Sequence, residues 1–101
     1  MNEKEQEMKD DSEKNIEMIL EERGKRYGEF IVNATLGQNL KTLVRQSPSW
    51  GNLQADMQQA IEVSLDKISR IVCGDPFYID NWRDIEGYVK LVSARLAEKR
   101  Y

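Results

Sequence analysis

The apolar residues of this chain recur every three or four positions, and this period constrains the fold more than any other feature. The clearest example lies between residues 53 and 72, where the stripe consists of Met57, Ile61, Leu65, Ile68 and Val72. Such spacing places side chains on one face of an α-helix. Because no segment of useful length alternates apolar and polar residues as a strand does, the sequence predicts an all-α fold.

Breaks in this pattern predict a small bundle of four helices. Turn-forming residues interrupt the chain at Gly24, 47–52 and 73–76. We expect the first helix to be capped by Ser12, the second to start near Glu29, the third to cover about 53–72 and the fourth to be capped by Asp80. The second and fourth helices have apolar faces of their own: Phe30, Asn33, Leu36 or Gly37, Leu40 and Val44; then Trp82, Ile85, Val89, Val92 and Leu96.

The length of 101 residues allows one small domain. Residues 1–11 offer almost no apolar surface and are predicted to form an acidic flexible leader, with 12–101 as a single helical domain. Two Trp, four Tyr and two Phe are more aromatic surface than a thin bundle can hide. We therefore expect a homo-oligomer.

Composition narrows the possible chemistry. The chain has no histidine and one cysteine, Cys73, so a Cys/His metal site and a histidine base are excluded. Any catalysis would use carboxylates, with Mg²⁺ as the expected ion. A lone cysteine and the absence of a signal-like or membrane-spanning run of ~20 apolar residues predict the cytoplasm and no membrane.

Charge is segregated along the chain. Residues 1–22 hold nine acidic and three basic residues, whereas 23–46 hold five basic residues against Glu29 alone. A general nucleic-acid binder would be basic along a whole face, and this distribution argues against one. It permits a local anion site.

The basic stretch begins with a loop-like segment that could bind phosphate. In residues 23–28, Lys25, Arg26 and Tyr27 lie between two glycines, so backbone N–H groups and cations could approach a phosphate before the next helix. The alternative is a helix–helix turn with solvated cations.

The third helix carries a second candidate set. Glu62 and Asp66 are four residues apart and could share a divalent cation, with Lys67 and Arg70 beside them. The alternative is an exposed face on which neighbouring turns form weak ion pairs.

The start of the fourth helix is a third candidate. Asp80 and Asp84 could position a ligand or simply stabilise the helix N-terminus. Four aromatic residues lie near cations in sequence and suit a base-plus-phosphate ligand, although a core or subunit contact uses the same residue types: Tyr27, Trp50, Trp82 and Tyr88.

Four segments occur in a familiar order. These are Arg23-Gly24-Lys25-Arg26-Tyr27-Gly28, Leu65-Asp66-Lys67-Ile68-Ser69-Arg70-Ile71, Gly74-Asp75-Pro76 and Asp80-Asn81-Trp82-Arg83-Asp84-Ile85-Glu86-Gly87-Tyr88. Over residues 23–93 the chain resembles a phage-encoded small helical family of unknown function, which has KxYG, KIxR and DxWxDIxGY motifs.

That family is distantly similar to MazG-like all-α nucleotide pyrophosphatases and nucleotide-modification-associated domains. The resemblance implies an ExxE pair and a later ExxD pair that hold magnesium on a nucleoside triphosphate. Here the later pair falls on Asn81 and Asp84, and the earlier helix offers Glu62 and Asp66 at a spacing of four. Lys or Arg beside these carboxylates favours a bare phosphate over a magnesium ion.

The resulting first hypothesis is a non-catalytic phage accessory protein that binds a nucleotide or another phosphorylated small molecule, and could sequester a host signalling nucleotide. Its expected ligand-binding residues are Lys25, Arg26, Tyr27, Lys67, Arg70, Trp82, Asp84 and Tyr88. No cofactor is expected. The first alternative is a magnesium-dependent pyrophosphatase that uses Glu62, Asp66, Asp80 and Asp84. The second is an inhibitor that binds a host protein through its acidic leader.

Overall fold

The computed structural model describes residues 2–101, and over that range it contains four α-helices, one short 3₁₀ turn and no strand. The helices are α1 (Glu3–Tyr27), α2 (Phe30–Arg45), α3 (Ala55–Cys73) and α4 (Ile79–Ala97), and the 3₁₀ turn is Trp50–Asn52. The predicted all-α class and the number of helices are confirmed. Within the described range, no helix combines the length and the apolarity that a membrane span needs.

Helix α1 is longer than the sequence pattern predicted. It starts after Asn2, whose side chain forms a capping box with Glu5, and it runs through Ser12 and Gly24 to end before Gly28. The predicted cap at Ser12 and end at Gly24 are therefore wrong. The preceding residues are mostly Glu, Lys, Gln and Met, which favour helices, so the capping box starts the helix earlier. Every residue from 2 to 25 is exposed, and the predicted flexibility of the leader stays a prediction.

Helix α3 is the centre of the molecule. It packs against both α2 and α4, and α1 contacts α3 and α2. The molecule measures 61 × 28 × 27 Å, an elongated outline for a chain of this size.

Small and polar residues form the contact between α2 and α3. Gly37 of α2 is buried, and a Cβ there would lie 3.4 Å from the Ser69 hydroxyl oxygen. Ser69 itself is 2% exposed, and Asn33 of α2 is also buried. The two helices therefore approach each other closely through residues that contribute little apolar surface.

Two ion pairs flank this contact. Lys41 lies 2.9 Å from Asp66, and Arg45 pairs with Glu62 one turn further along each helix in the antiparallel direction. The predicted exposed face with pairs inside α3 is wrong, because these carboxylates face α2. The sequence pattern could not show this, since the partners come from another helix.

The contact between α3 and α4 is antiparallel as well. Lys67 lies 2.9 Å from Asp84, and at the other end of the pair Arg95 lies 2.7 Å from Asp56. The hydrogen bond from Arg95 lowers the pKa of Asp56 and raises that of Arg95. These pairs align α4 along the whole length of α3.

The start of α4 differs from the prediction. The residue before the helix is Tyr78, with no side-chain cap, and Asp80 lies within the first turn, where it accepts a hydrogen bond of 2.8 Å from the Tyr78 hydroxyl. That hydrogen bond raises the pKa of Tyr78. Asp80 is therefore not the cap.

Few apolar side chains are buried within one chain. Among residues 2–101, Ala60 and Ile71 are the buried hydrophobic residues. The α3 stripe that the sequence suggested for the core is instead largely open, with Ile61 37%, Ile68 39% and Val72 65% exposed. The polar side of α3 faces α2, and its apolar stripe does not.

Candidate functional site

Two glycines bring the sequence motifs together where α1 and α3 end. Gly28 has a φ of 78°, and a Cβ there would lie 2.3 Å from the Cys73 carbonyl oxygen. A Cβ on Gly74 would lie 2.1 Å from the Arg26 carbonyl oxygen, which accepts a hydrogen bond of 2.7 Å from the Asp75 N–H. Both glycines therefore permit two backbone segments to cross, which is a structural role.

A stack of two tyrosines with an arginine at each end is built on this crossing. The Arg70 guanidinium lies 4.8 Å from the centroid of the Tyr27 ring, and that of Arg26 lies 4.7 Å from the Tyr78 ring. The two rings meet edge to face, with centroids 6.1 Å apart. Such contacts contribute roughly 0.5–1 kcal/mol each at exposed positions. They connect the end of α1 to α3 and to the segment before α4.

A partly enclosed pocket lies on one side of the stack, between the end of α1 and the start of α2. Its volume is about 640 Å³, and its lining consists of Leu20, Arg23, Gly24, Tyr27, Gly28, Glu29, Phe30, Asn33 and Arg70. Arg23 and Arg70 form no ion pair with any residue in the range 2–101. Glu29 is the one carboxylate of the lining. The Phe30 side chain is 82% exposed at the rim.

The start of α2 also borders this pocket. Glu29, which precedes the helix, makes no side-chain cap. The Val32 and Asn33 N–H groups donate to the Glu29 carbonyl oxygen, and the start of the helix carries the positive end of the helix dipole. Two arginines, a helix start and an aromatic rim together suit an anion that carries a ring.

The predicted cations do not all reach this pocket. Arg26 and Arg70 lie in the stack with Tyr27, whereas Lys25 pairs at 3.6 Å with Glu21 on the exposed side of α1. The Lys67 ammonium group is 2.9 Å from Asp84, between α3 and α4. Lys67 and Asp84 thus neutralise each other away from the pocket.

The predicted aromatic residues of α4 also lie outside the pocket. Trp82 is 51% exposed, and its indole N–H donates a hydrogen bond of 2.8 Å to the Pro76 carbonyl oxygen. Tyr88 is 38% exposed, two turns further along α4. Neither residue belongs to the pocket lining.

The four carboxylates considered for magnesium do not converge. Each has a different partner in the structure: Arg45 for Glu62, Lys41 for Asp66, Tyr78 for Asp80 and Lys67 for Asp84. No group of three or more Asp, Glu or Cys side chains within 2–101 is placed to hold a metal ion. The side chains present therefore do not fit magnesium in this arrangement.

Asn81, near the start of α4, is buried and 1% exposed. Its amide nitrogen has no hydrogen-bond partner in the described part of the chain. An isolated carboxylate would be far more costly to bury there than a neutral amide.

Several contributors to the site were not selected from the sequence. The candidate ligand-binding residues did not include Arg23, Glu29, Phe30 or Tyr78, although Arg23 begins the quoted 23–28 motif. An arginine one turn before Tyr27 on a continuous helix shares its face, and this spacing could have identified it. Nothing in the local pattern around Tyr78 indicates its contact with Arg26.

No protein-family model, curated protein or solved structure matches this chain. The geometry of its own residues therefore carries the functional argument.

Proposed function

We propose that this protein binds a phosphorylated small molecule with an aromatic ring, such as a nucleotide, in the pocket between α1 and α2. The observation that carries the proposal is the pair of arginines, Arg23 and Arg70, that line the pocket without an acidic partner in the described chain. Arginines that a protein leaves unpaired beside a concave surface are suited to phosphate, because the guanidinium donates several hydrogen bonds in a fixed fork.

The rest of the lining supports the same class of ligand. Phe30 is exposed at the rim and can stack on a base, and Tyr27 presents its ring beneath Arg70. A pocket of about 640 Å³ is within the usual range for small-molecule sites. Glu29 reduces the net positive charge of the lining and can accept a hydrogen bond from a base or sugar.

The motif order supports a nucleotide in particular, since the segments that resemble the phage family and the MazG-like proteins include Arg23, Tyr27 and Arg70. In a phage-infected cell, binding without turnover would sequester a host nucleotide. Hydrolysis with magnesium is the alternative, and it requires the four carboxylates to leave their present partners.

We also propose that the protein acts as a homo-oligomer. The support is the small number of buried hydrophobic residues, which are Ala60 and Ile71 in the described range. A domain of this size rarely folds on so small a core.

Calorimetry with a panel of nucleotides tests the ligand proposal. We expect at least one nucleotide to bind without magnesium and to remain intact. In Arg70→Gln and Arg23→Gln its affinity should fall roughly 10- to 150-fold, which corresponds to a charged hydrogen bond of about 1.5–3 kcal/mol. Lys25→Gln is the matched control, because this exposed side chain lies outside the pocket lining, and its affinity should be unchanged.

The other results of the calorimetry distinguish the two alternative functions. Nucleotide cleavage that depends on magnesium would establish the enzyme alternative. If none of the nucleotides binds, the proposal is wrong and a protein-binding inhibitor becomes the better hypothesis. Arg70→Lys keeps the charge, so partial recovery of affinity in this variant would show that the charge at this position contributes to binding.

A further inference from the structure

One side of the α3–α4 pair is an open apolar groove. Its floor and walls are contributed by both helices, and it has a volume of about 520 Å³. We define the α3–α4 face by six of its residues: Met57, Ile61, Leu65, Ile85, Val89 and Val92. None of the groove residues is charged. Val89, one of the groove residues, is 51% exposed.

We propose that a second copy of this chain covers the α3–α4 face and forms a symmetric dimer. The inference rests on the self-association proposed above and specifies its surface. It does not depend on the ligand.

The accessible area supports a partner of substantial size. The chain exposes 7765 Å², whereas a compact monomer of 11.8 kDa exposes roughly 5,900 Å². The excess is roughly 1,900 Å², and a standard interface takes about 800 Å² from each partner. The excess also includes the exposed residues 2–25 of α1.

The nature of the face favours a second copy over another kind of protein. The ion pairs Lys67–Asp84 and Asp56–Arg95 link α3 and α4 and are internally neutralised. The face thus offers no unpaired charge that would select a charged partner. Two such two-helix layers placed face to face form a four-helix core in which each copy uses the same residues.

The shortage of buried apolar residues gives a further reason. With Ala60 and Ile71 as the buried hydrophobic residues of the described chain, the covering partner has to be present whenever the chain folds. Another copy of the same chain meets this condition, because it is made in the same place and at the same time.

Sedimentation equilibrium of Val89→Lys and Ile61→Lys tests the proposal. We expect the wild type to be a dimer at micromolar concentration, and each variant to weaken the dimer at least 100-fold, because a lysine would be buried without a partner. Leu91→Lys is the matched control, since Leu91 is an exposed α4 residue outside the groove. It should remain a dimer.

A folded wild-type monomer would overturn both the self-association and the face. A dimer that persists in both lysine variants would overturn the face alone. Nucleotide affinity is measured separately, so failure of the ligand proposal does not affect this result.

Because the lysine variants could unfold, a milder change provides a second measurement. Ser64 lines the groove, and Ser64→Cys in a Cys73→Ser background adds a thiol there without changing its size much. We expect maleimide to label this thiol slowly in concentrated protein and faster on dilution. Ser47→Cys, in the exposed turn after α2, should react at the same rate at both concentrations. Equal rates for Ser64→Cys at both concentrations would overturn the proposal.

Discussion

At the scale of single residues, the crossing of Gly28 and Gly74 is the tightest contact described above. Both positions require glycine because neither has room for the Cβ atom of any other residue. The backbone of α1 occupies the space where a Cβ of residue 74 would lie, and the backbone of α3 occupies the corresponding space at residue 28. This close approach places Arg70 over Tyr27, so the two glycines determine the geometry of the site.

We expect Gly74→Ala to destabilise the protein by about 2–3 kcal/mol, since an added methyl group would force the backbone of α1 away from α3. Urea unfolding would measure the loss. Gly87→Ala is the control, because a Cβ at this helical position meets no atom within 4 Å, and it should raise stability by about 0.5–1 kcal/mol. Equal effects at the two positions would show that the crossing is loose.

Asp56 gives a second residue-level prediction, concerning pH. The hydrogen bond from Arg95 lowers the pKa of Asp56 in the folded protein. The stabilisation that this hydrogen bond gives the folded protein is therefore present above the usual aspartate pKa of about 4, and it is lost as the pH falls through the pKa that Asp56 has in the folded protein. We expect Asp56→Asn to melt below the wild type at pH 7. The difference should shrink at pH 3. A difference that is unchanged between the two pH values would contradict the assignment.

At the scale of elements, α1 divides into an arm and an attachment. Its last turn forms part of the backbone crossing and the stack, while every residue from 2 to 25 remains exposed. The exposed apolar residues of this arm are Met8, Ile16, Met18, Ile19 and Leu20. The arm has helical propensity and a capping box, but the rest of the described chain gives it little packing.

We therefore expect deletion of residues 2–11 to shift the melting temperature by no more than a few degrees, because these residues bury little apolar area. Differential scanning calorimetry would test this, and circular dichroism should show the loss of the deleted helical residues. A larger fall would mean that the arm packs against another copy.

The helical period predicted the elements well and their orientation poorly. Spacing shows which residues share a face, and it correctly grouped Met57, Ile61 and Leu65. It does not show which neighbour that face meets. The contacts that turn the polar side of α3 toward α2 join residues distant in sequence, such as Arg45 and Glu62.

The site was predictable to a similar extent. Arg26, Tyr27 and Arg70 were selected from local motifs, and the structure places them in one stack. Lys67 and Asp84 were selected by the same reasoning, but they pair with each other. A motif identifies residue types, whereas the pocket depends on how α1 and α3 cross.

At the scale of the whole molecule, the unusual feature is the distribution of polar and apolar contacts. Ion pairs and small residues hold α2 against α3, and ion pairs flank a half-buried apolar contact between α3 and α4, while large side chains such as Val72 and Val89 remain exposed. Exposed ion pairs contribute roughly 0–1 kcal/mol each. The internal contacts therefore define the arrangement of the helices more than they stabilise it.

The exposed α3–α4 face has a consequence for the steady-state amount of this protein in a cell. If pairing completes the fold, the folded fraction depends on the amount of chain already made. Newly synthesised copies below that level would present the face to chaperones and proteases and would be removed. Accumulation would then begin only above a threshold rate of synthesis, and a modest change in gene expression would switch the protein between near absence and abundance.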